Sequence, residues 1–122
     1  MKRDEKLLLV EDNPTIAAAL GKAGERLNLH VEVATDGWDA IEKLRIDSYG
    51  GIVIDIDVPR HSGYGVLTYL RQEHGDDFEN VIVMTSDDDT SVRHRVSERL
   101  NVVRKTQTAD EVAELVAQKL IS

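Results

Sequence analysis

Short apolar runs alternate along the chain with longer stretches in which apolar residues recur every three or four positions. The first run, Leu7-Leu8-Leu9-Val10 within Lys6 to Val10, breaks off at Glu11-Asp12-Asn13-Pro14, where Asn can cap and Pro can open a helix. Ile16, Leu20, Ala23 and Leu27 follow at helical spacing. His30 to Ala34 alternates as a strand does, up to the turn signal Asp36-Gly37, and Trp38, Ile41 and Leu44 mark a second helical stripe. Ile52-Val53-Ile54 and Val81-Ile82-Val83-Met84 are continuous and largely β-branched, the pattern of strands covered on both faces. Between them Val66, Leu67 and Leu70 form a helical face, and Val92, Val96 and Leu100 predict another at four-residue steps. Val102-Val103 and then Val112, Val116 and Leu120 supply a last strand and helix.

This is β-α five times over, with no repeat period, low-complexity tract or linker. Such alternation predicts an α/β fold with a doubly wound five-stranded parallel sheet and helices on both faces, because right-handed crossovers put a helix between successive parallel strands. Residues 1–122 then form a single domain with no separate output module expected. Ligands in such sheets bind beyond the carboxyl ends of the strands, so the residues after each apolar run are the ones to examine.

Those residues are Glu11 and Asp12 after the first run, Asp55 after the third, Thr85 and Ser86 after the fourth, and Lys105 after the fifth. Three carboxylates gathered at roughly 5 Å repel by about 3 kcal/mol per pair at an effective dielectric near 20. Their sum rivals the whole stability of a small domain, about 5–15 kcal/mol. A hard divalent cation relieves this naturally, and magnesium favours a few carboxylates plus water and phosphate oxygens; protonation or hydration does the same at an inert site. Taken singly, each acid is an ordinary solvated loop residue, Thr85 a strand-end hydrogen bonder and Lys105 a surface charge. Taken together they suit magnesium-dependent phosphoryl transfer with Asp55 as nucleophile and a hydroxyl and a lysine stabilising the remaining oxygens.

Charge narrows the partners. A formal net charge of −8 and only five aromatic residues argue against direct nucleic-acid binding, while suiting a partner with a basic face or a cation pocket, or simply solubility. With no cysteine, no signal-like start and no apolar stretch near the roughly 20 residues of a membrane span, a cytoplasmic location and no membrane contact are expected. His30, His61, His74 and His94 lack metal-ligand spacing and are expected at the surface.

Taken as a set, Leu8-Leu9-Val10-Glu11-Asp12-Asn13-Pro14, Ile52-Val53-Ile54-Asp55-Ile56-Asp57-Val58-Pro59 with Gly63, Val83-Met84-Thr85-Ser86, and Lys105 resemble the bacterial receiver domains of two-component systems, of the single-domain chemotaxis-regulator kind, over the whole length. The resemblance implies the (βα)5 flavodoxin-like receiver fold. It also implies Asp55 as phosphoacceptor, Mg2+ held by Glu11, Asp12, Asp55 and the backbone carbonyl of Asp57, and Thr85 and Lys105 as the hydroxyl and amine that meet the phosphoryl group. Asp57, Asp87 and Ser86 match positions that modulate the site. Implied partners are a sensor histidine kinase or a histidine phosphotransfer protein, and a downstream protein engaged through the face of the fourth helix, fifth strand and fifth helix. Such a domain is not an enzyme beyond catalysing its own phosphorylation and dephosphorylation.

The sequence departs from the family pattern in three places. Val102 stands where many receivers carry an inward-turning Tyr or Phe, so an aromatic-rotamer switch cannot operate there. Thr106 replaces the proline that usually follows the lysine, where a cis bond costs a non-proline residue about 2.5–4 kcal/mol; a trans bond or a strained loop is expected. No Gly-Ala turn follows the fourth helix, which should be shortened. Asp87, Asp88 and Asp89 read most simply as a cap and first-turn acids of that helix.

Two other readings compete. Asp55-Ile56-Asp57-Val58 resembles the Asp-x-Asp motif of haloacid-dehalogenase-type phosphatases, but only Asp110, Glu111 and Glu114, on a predicted helix, could supply the further acids those need. A pseudo-receiver that binds a protein without being phosphorylated is the second. Nucleotide binding lacks a glycine after the first strand. Leu115 is either part of a dimer face or scattered apolar surface.

Overall fold

Each apolar run becomes a strand. In the computed structural model, which describes residues 6–60, 62–75, 78, 80–86, 89–97, 99–105 and 108–121, the elements are β1 (Lys6–Val10), α1 (Pro14–Arg26), β2 (His30–Ala34), α2 (Gly37–Ile46), β3 (Gly51–Asp55), α3 (Gly63–His74), β4 (Val81–Thr85), α4 (Asp89–Arg95), β5 (Asn101–Arg104) and α5 (Ala109–Ile121). All pairings are parallel, in the order β2-β1-β3-β4-β5. The chain reverses its direction of travel between β1 and β3, which opens a crevice above their carboxyl ends.

Period-two alternation divides the core between the faces. Leu8, Val10, Ile52, Ile54, Val81, Val83 and Val102 pack with Ala40, Val66, Leu67, Leu70 and Val92 of α2, α3 and α4. Leu7, Leu9, Val53, Ile82, Met84 and Val103 pack with Leu20, Ala23, Val112, Val116 and Leu120 of α1 and α5. β3 and β4 are buried throughout, whereas the edge strands β2 and β5 keep exposed residues. The doubly wound architecture expected from the pattern is therefore the observed one.

Helix starts follow the expected chemistry. Asn13 Oδ1 accepts from the Thr15 and Ile16 amides at 2.9 and 3.2 Å, with Pro14 in the first turn of α1. Asp36 Oδ1 accepts from the Asp39 amide at 2.8 Å and caps α2. Two stripes need correcting. Trp38 is 56% exposed, so Ala40, Ile41 and Leu44 carry the core face of α2. α4 spans only seven residues, as the missing turn signal predicts, and Leu100 lies beyond it in the approach to β5, buried there rather than on a helix. The Arg95 guanidinium stacks 3.7 Å above the Tyr64 ring, and Arg71 donates to the Val96 carbonyl, which together hold α4 against α3. Leu115 is half-buried against the α1–α5 side of the core. His30 and His94 are exposed, while His61 and the His74 side chain lie outside the described residues. Among the described residues no helix is long and apolar enough to cross a membrane.

Candidate functional site

Sheet geometry delivers the strand-end residues to one crevice. The Glu11 amide donates to the Ala34 carbonyl at 3.0 Å, which extends the β1–β2 pairing by one residue and turns the Glu11 side chain inward. The Lys105 amide donates to the Thr85 carbonyl at 2.8 Å and does the same for β5 and β4. Asp55 ends β3 and is 3% exposed; Glu11 is 1% exposed and Thr85 fully buried.

Lys105 joins the two buried acids. Its Nζ lies 2.9 Å from Asp55 Oδ2 and 3.1 Å from Glu11 Oε1, linking residues that are 50 and 94 positions away in the chain. Asp55 Oδ1 accepts from the Asp57 amide at 3.0 Å, and Glu11 Oε2 accepts from the Asn13 amide at 3.1 Å. Asp12 is exposed, yet one carboxylate oxygen from each of Glu11, Asp12 and Asp55 falls within 4.8 Å of the others. Ser86 and Asp57 are exposed at the rim. Asp87, Asp88 and Thr106 lie outside the described residues, and so does the expectation of a trans bond or strained loop at Thr106.

Electrostatics follows from this crowding. Burial pushes the Glu11 carboxyl up to about 7; the hydrogen bond and charge of Asp55 add to the rise, and the Asn13 amide and Lys105 only partly oppose it. Burial alone would lower the Lys105 ammonium, but hydrogen bonds and charge from Asp55 and Glu11 outweigh it and the net shift is upward. Among the described residues three carboxylates face one ammonium, so these groups carry excess negative charge when fully ionised. The donors are hard oxygens with one open side at exposed Asp12. That set fits a magnesium ion that keeps part of its water shell.

Gly63 packs directly against the end of β3. A Cβ there would lie 2.6 Å from Ile56 Cα and 2.8 Å from the Asp55 carbonyl oxygen, and its amide donates to the Ile56 carbonyl at 3.1 Å. Only glycine allows α3 to start so close to the end of β3. One pair beside the site had no signal in the sequence pattern: Arg60 Nη1 meets Asp36 Oδ2 at 3.2 Å. Asp36 registered only as a turn residue, and nothing in spacing singles out Arg60.

A five-stranded receiver-like sheet with this acid–lysine crevice defines a class of signalling domain, and comparison with known proteins agrees. The chain belongs to the response regulator receiver domain family, whose model matches residues 7–117. It is thus a receiver domain of a two-component response regulator, which takes the place of the dehalogenase-type reading. Response regulator MprA of Mycobacterium ulcerans is 32% identical over 88 residues, covering 72% of this chain and 37% of that protein. The chain therefore spans little more than a third of the length of this curated relative. Among solved structures, chemotaxis response regulator CheY4 of Vibrio cholerae has a TM-score of 0.79 at 18% identity, covering 98% of this chain and 99% of that one. The phosphorylated cyanobacterial phytochrome response regulator RcpA also has a TM-score of 0.79, at 20% identity, covering 95% of this chain and 91% of that one.

Proposed function

We propose that this domain accepts a phosphoryl group on Asp55 in a magnesium-dependent transfer from a phosphohistidine donor. The observation that carries the reading is the Lys105 ammonium held between buried Asp55 and Glu11 inside a three-carboxylate cluster. An Asp55 carboxylate oxygen attacks phosphorus as the bond from phosphorus to the donor imidazole breaks, and the departing imidazole nitrogen takes up a proton from solvent, giving aspartyl phosphate and neutral histidine. The Asp57 amide and Lys105 each hold one Asp55 oxygen, which limits the rotation of the nucleophile before attack. Lys105 then pairs with a phosphoryl oxygen, and the Thr85 hydroxyl turns towards another. Glu11, Asp12, Asp55 and the Asp57 carbonyl would hold Mg2+, which would neutralise the charge that builds on the phosphoryl oxygens.

Aspartyl phosphate brings roughly two negative charges where one stood. With Val102 in β5, the response runs through Thr85 and α4 rather than an aromatic rotamer. The α4–β5–α5 face then engages a downstream protein, or the phosphoryl group passes onward. A sensor histidine kinase or a histidine phosphotransfer protein is the donor, and Asp57, Ser86 and Asp87 modulate the lifetime of the adduct. In this proposal residues 1–122 act as one receiver domain in the cytoplasm, catalysing only their own phosphorylation and dephosphorylation.

Incubation with acetyl phosphate and magnesium, followed by intact-mass spectrometry, tests the proposal. One acid-stable, base-labile phosphoryl adduct is expected, absent in Asp55→Asn. A protein left unmodified by both acetyl phosphate and a phosphorylated kinase supports the pseudo-receiver reading instead.

A further inference from the structure

The loop from Ile56 to Gly63 carries Asp57, whose carbonyl is a proposed metal ligand. A backbone carbonyl cannot be re-aimed by a rotamer change, so its position is the position of the loop. The start of this loop is tied to the sheet, the Ile56 amide donating to the Met84 carbonyl at 2.9 Å, and its two ends are tied to each other, the Gly63 amide donating to the Ile56 carbonyl at 3.1 Å, with Val58 buried. Its middle is tied to something else. The Gly37 and Trp38 amides, at the start of α2, donate to the Pro59 and Arg60 carbonyls, both at 3.2 Å. These are helix-start amides that lack partners within the helix.

Arg60 has φ of 51°, the left-handed region that a residue with a Cβ adopts only when its surroundings hold it there. Asp36 completes the hold. Its Oδ1 caps α2 on the Asp39 amide at 2.8 Å while Oδ2 meets Arg60 Nη1 at 3.2 Å. The Asp36 side chain is 13% exposed against 72% for Arg60, so the acid is fixed and the arginine is the part drawn to it.

We infer that Asp36 and Arg60 form a latch that sets the Asp57 loop for cation binding, and that both are positioning residues for the proposed phosphotransfer. The inference rests on the magnesium reading above. Magnesium demands near-ideal octahedral geometry, so a small displacement of the loop weakens its binding. Linkage makes the coupling reciprocal: a cation bound at the site tightens the latch. Trp38, the only tryptophan in the chain, has its backbone amide in the latch and reports on it.

The test is a magnesium titration of the unphosphorylated full chain, followed by Trp38 fluorescence and by calorimetry, for wild type, Asp36→Asn, Arg60→Ala, Arg60→Lys and the Asp36→Asn/Arg60→Ala double variant. Asp36→Asn keeps a capping oxygen and loses the charge. Either Asp36→Asn or Arg60→Ala is expected to raise the magnesium Kd about two- to fivefold, the range an exposed ion pair supports. The double variant is expected to go no further, and Arg60→Lys to recover most of the loss. Lys43→Ala, which breaks the neighbouring Lys43–Asp39 pair on α2, should leave Kd unchanged. Melting temperatures without magnesium separate weaker folding from weaker binding. Equal Kd in all variants, or additive effects in the double variant, overturns the latch alone; a wild type that binds no magnesium overturns the metal reading and the latch with it.

Discussion

Near the amino end of the sheet Lys6 meets Asp47 and, at 3.5 Å, Glu32, while the Tyr49 hydroxyl donates to Glu32 Oε1 at 2.7 Å. At the carboxyl end Lys105 meets Asp55 and Glu11. Each lysine bridges two carboxylates, yet Glu32 and Glu11 shift in opposite directions. The hydrogen bond from Tyr49, then the charge of Lys6, hold the Glu32 carboxyl below the usual carboxylate range. Burial first, then Asp55, drive Glu11 up to about 7. Water explains the contrast: the Lys6 and Asp47 side chains are 39% and 42% exposed, whereas Glu11 is sealed and a third carboxylate stands beside it. One end is a solvated clamp across three chain segments. The other stores electrostatic repulsion that a bound cation can relieve.

The two ends should differ most when each loses its lysine. Lys105→Met leaves buried carboxylates without their ammonium and should lower stability by about 3 kcal/mol in magnesium-free urea denaturation at pH 8. A smaller effect is expected from pH. Below about 4.5 the Glu11 carboxyl keeps its proton folded or unfolded, between there and about 7 only the folded chain keeps it, and above 7 neither does. Its contribution to stability therefore falls as pH rises through that window, by about 2–3 kcal/mol without magnesium, and Glu11→Gln should flatten the slope. Magnesium-free denaturation at stepped pH checks this; a wild type that becomes more stable from pH 5 to 7 by the same amount as Glu11→Gln contradicts it. Smallest of all, Lys6→Met should move the melting temperature by no more than about 2 °C, and less in high salt. If it costs as much as Lys105→Met, burial is not what separates the two ends.

How much of this was legible depends on what each residue spends its side chain on. β1, β3 and β4 are central strands whose continuous apolar runs have no other use, and the residues following them fell into the crevice because parallel topology leaves no alternative. α4 was over-extended because Leu100 continues a four-residue spacing while packing from the approach to β5. Trp38 repeats the helical stripe but stands in solvent, since apolar periodicity does not distinguish a core residue from a surface one in the first turn. Leu115 packs half-buried against the core, a position that spacing alone does not separate from scattered apolar surface. The Asp36–Arg60 pair was invisible for a different reason: it depends on a left-handed arginine and on helix-start amides, neither of which leaves a periodic mark.

Magnesium-dependent melting tests the central claim, that the carboxyl end is a strained cation site and the amino end is not. At ten times its Kd, magnesium should stabilise the wild type by about 1.4 kcal/mol. Lys6→Met should gain as much, and Asp12→Ala clearly less. Equal gains in the wild type and Asp12→Ala would contradict the account.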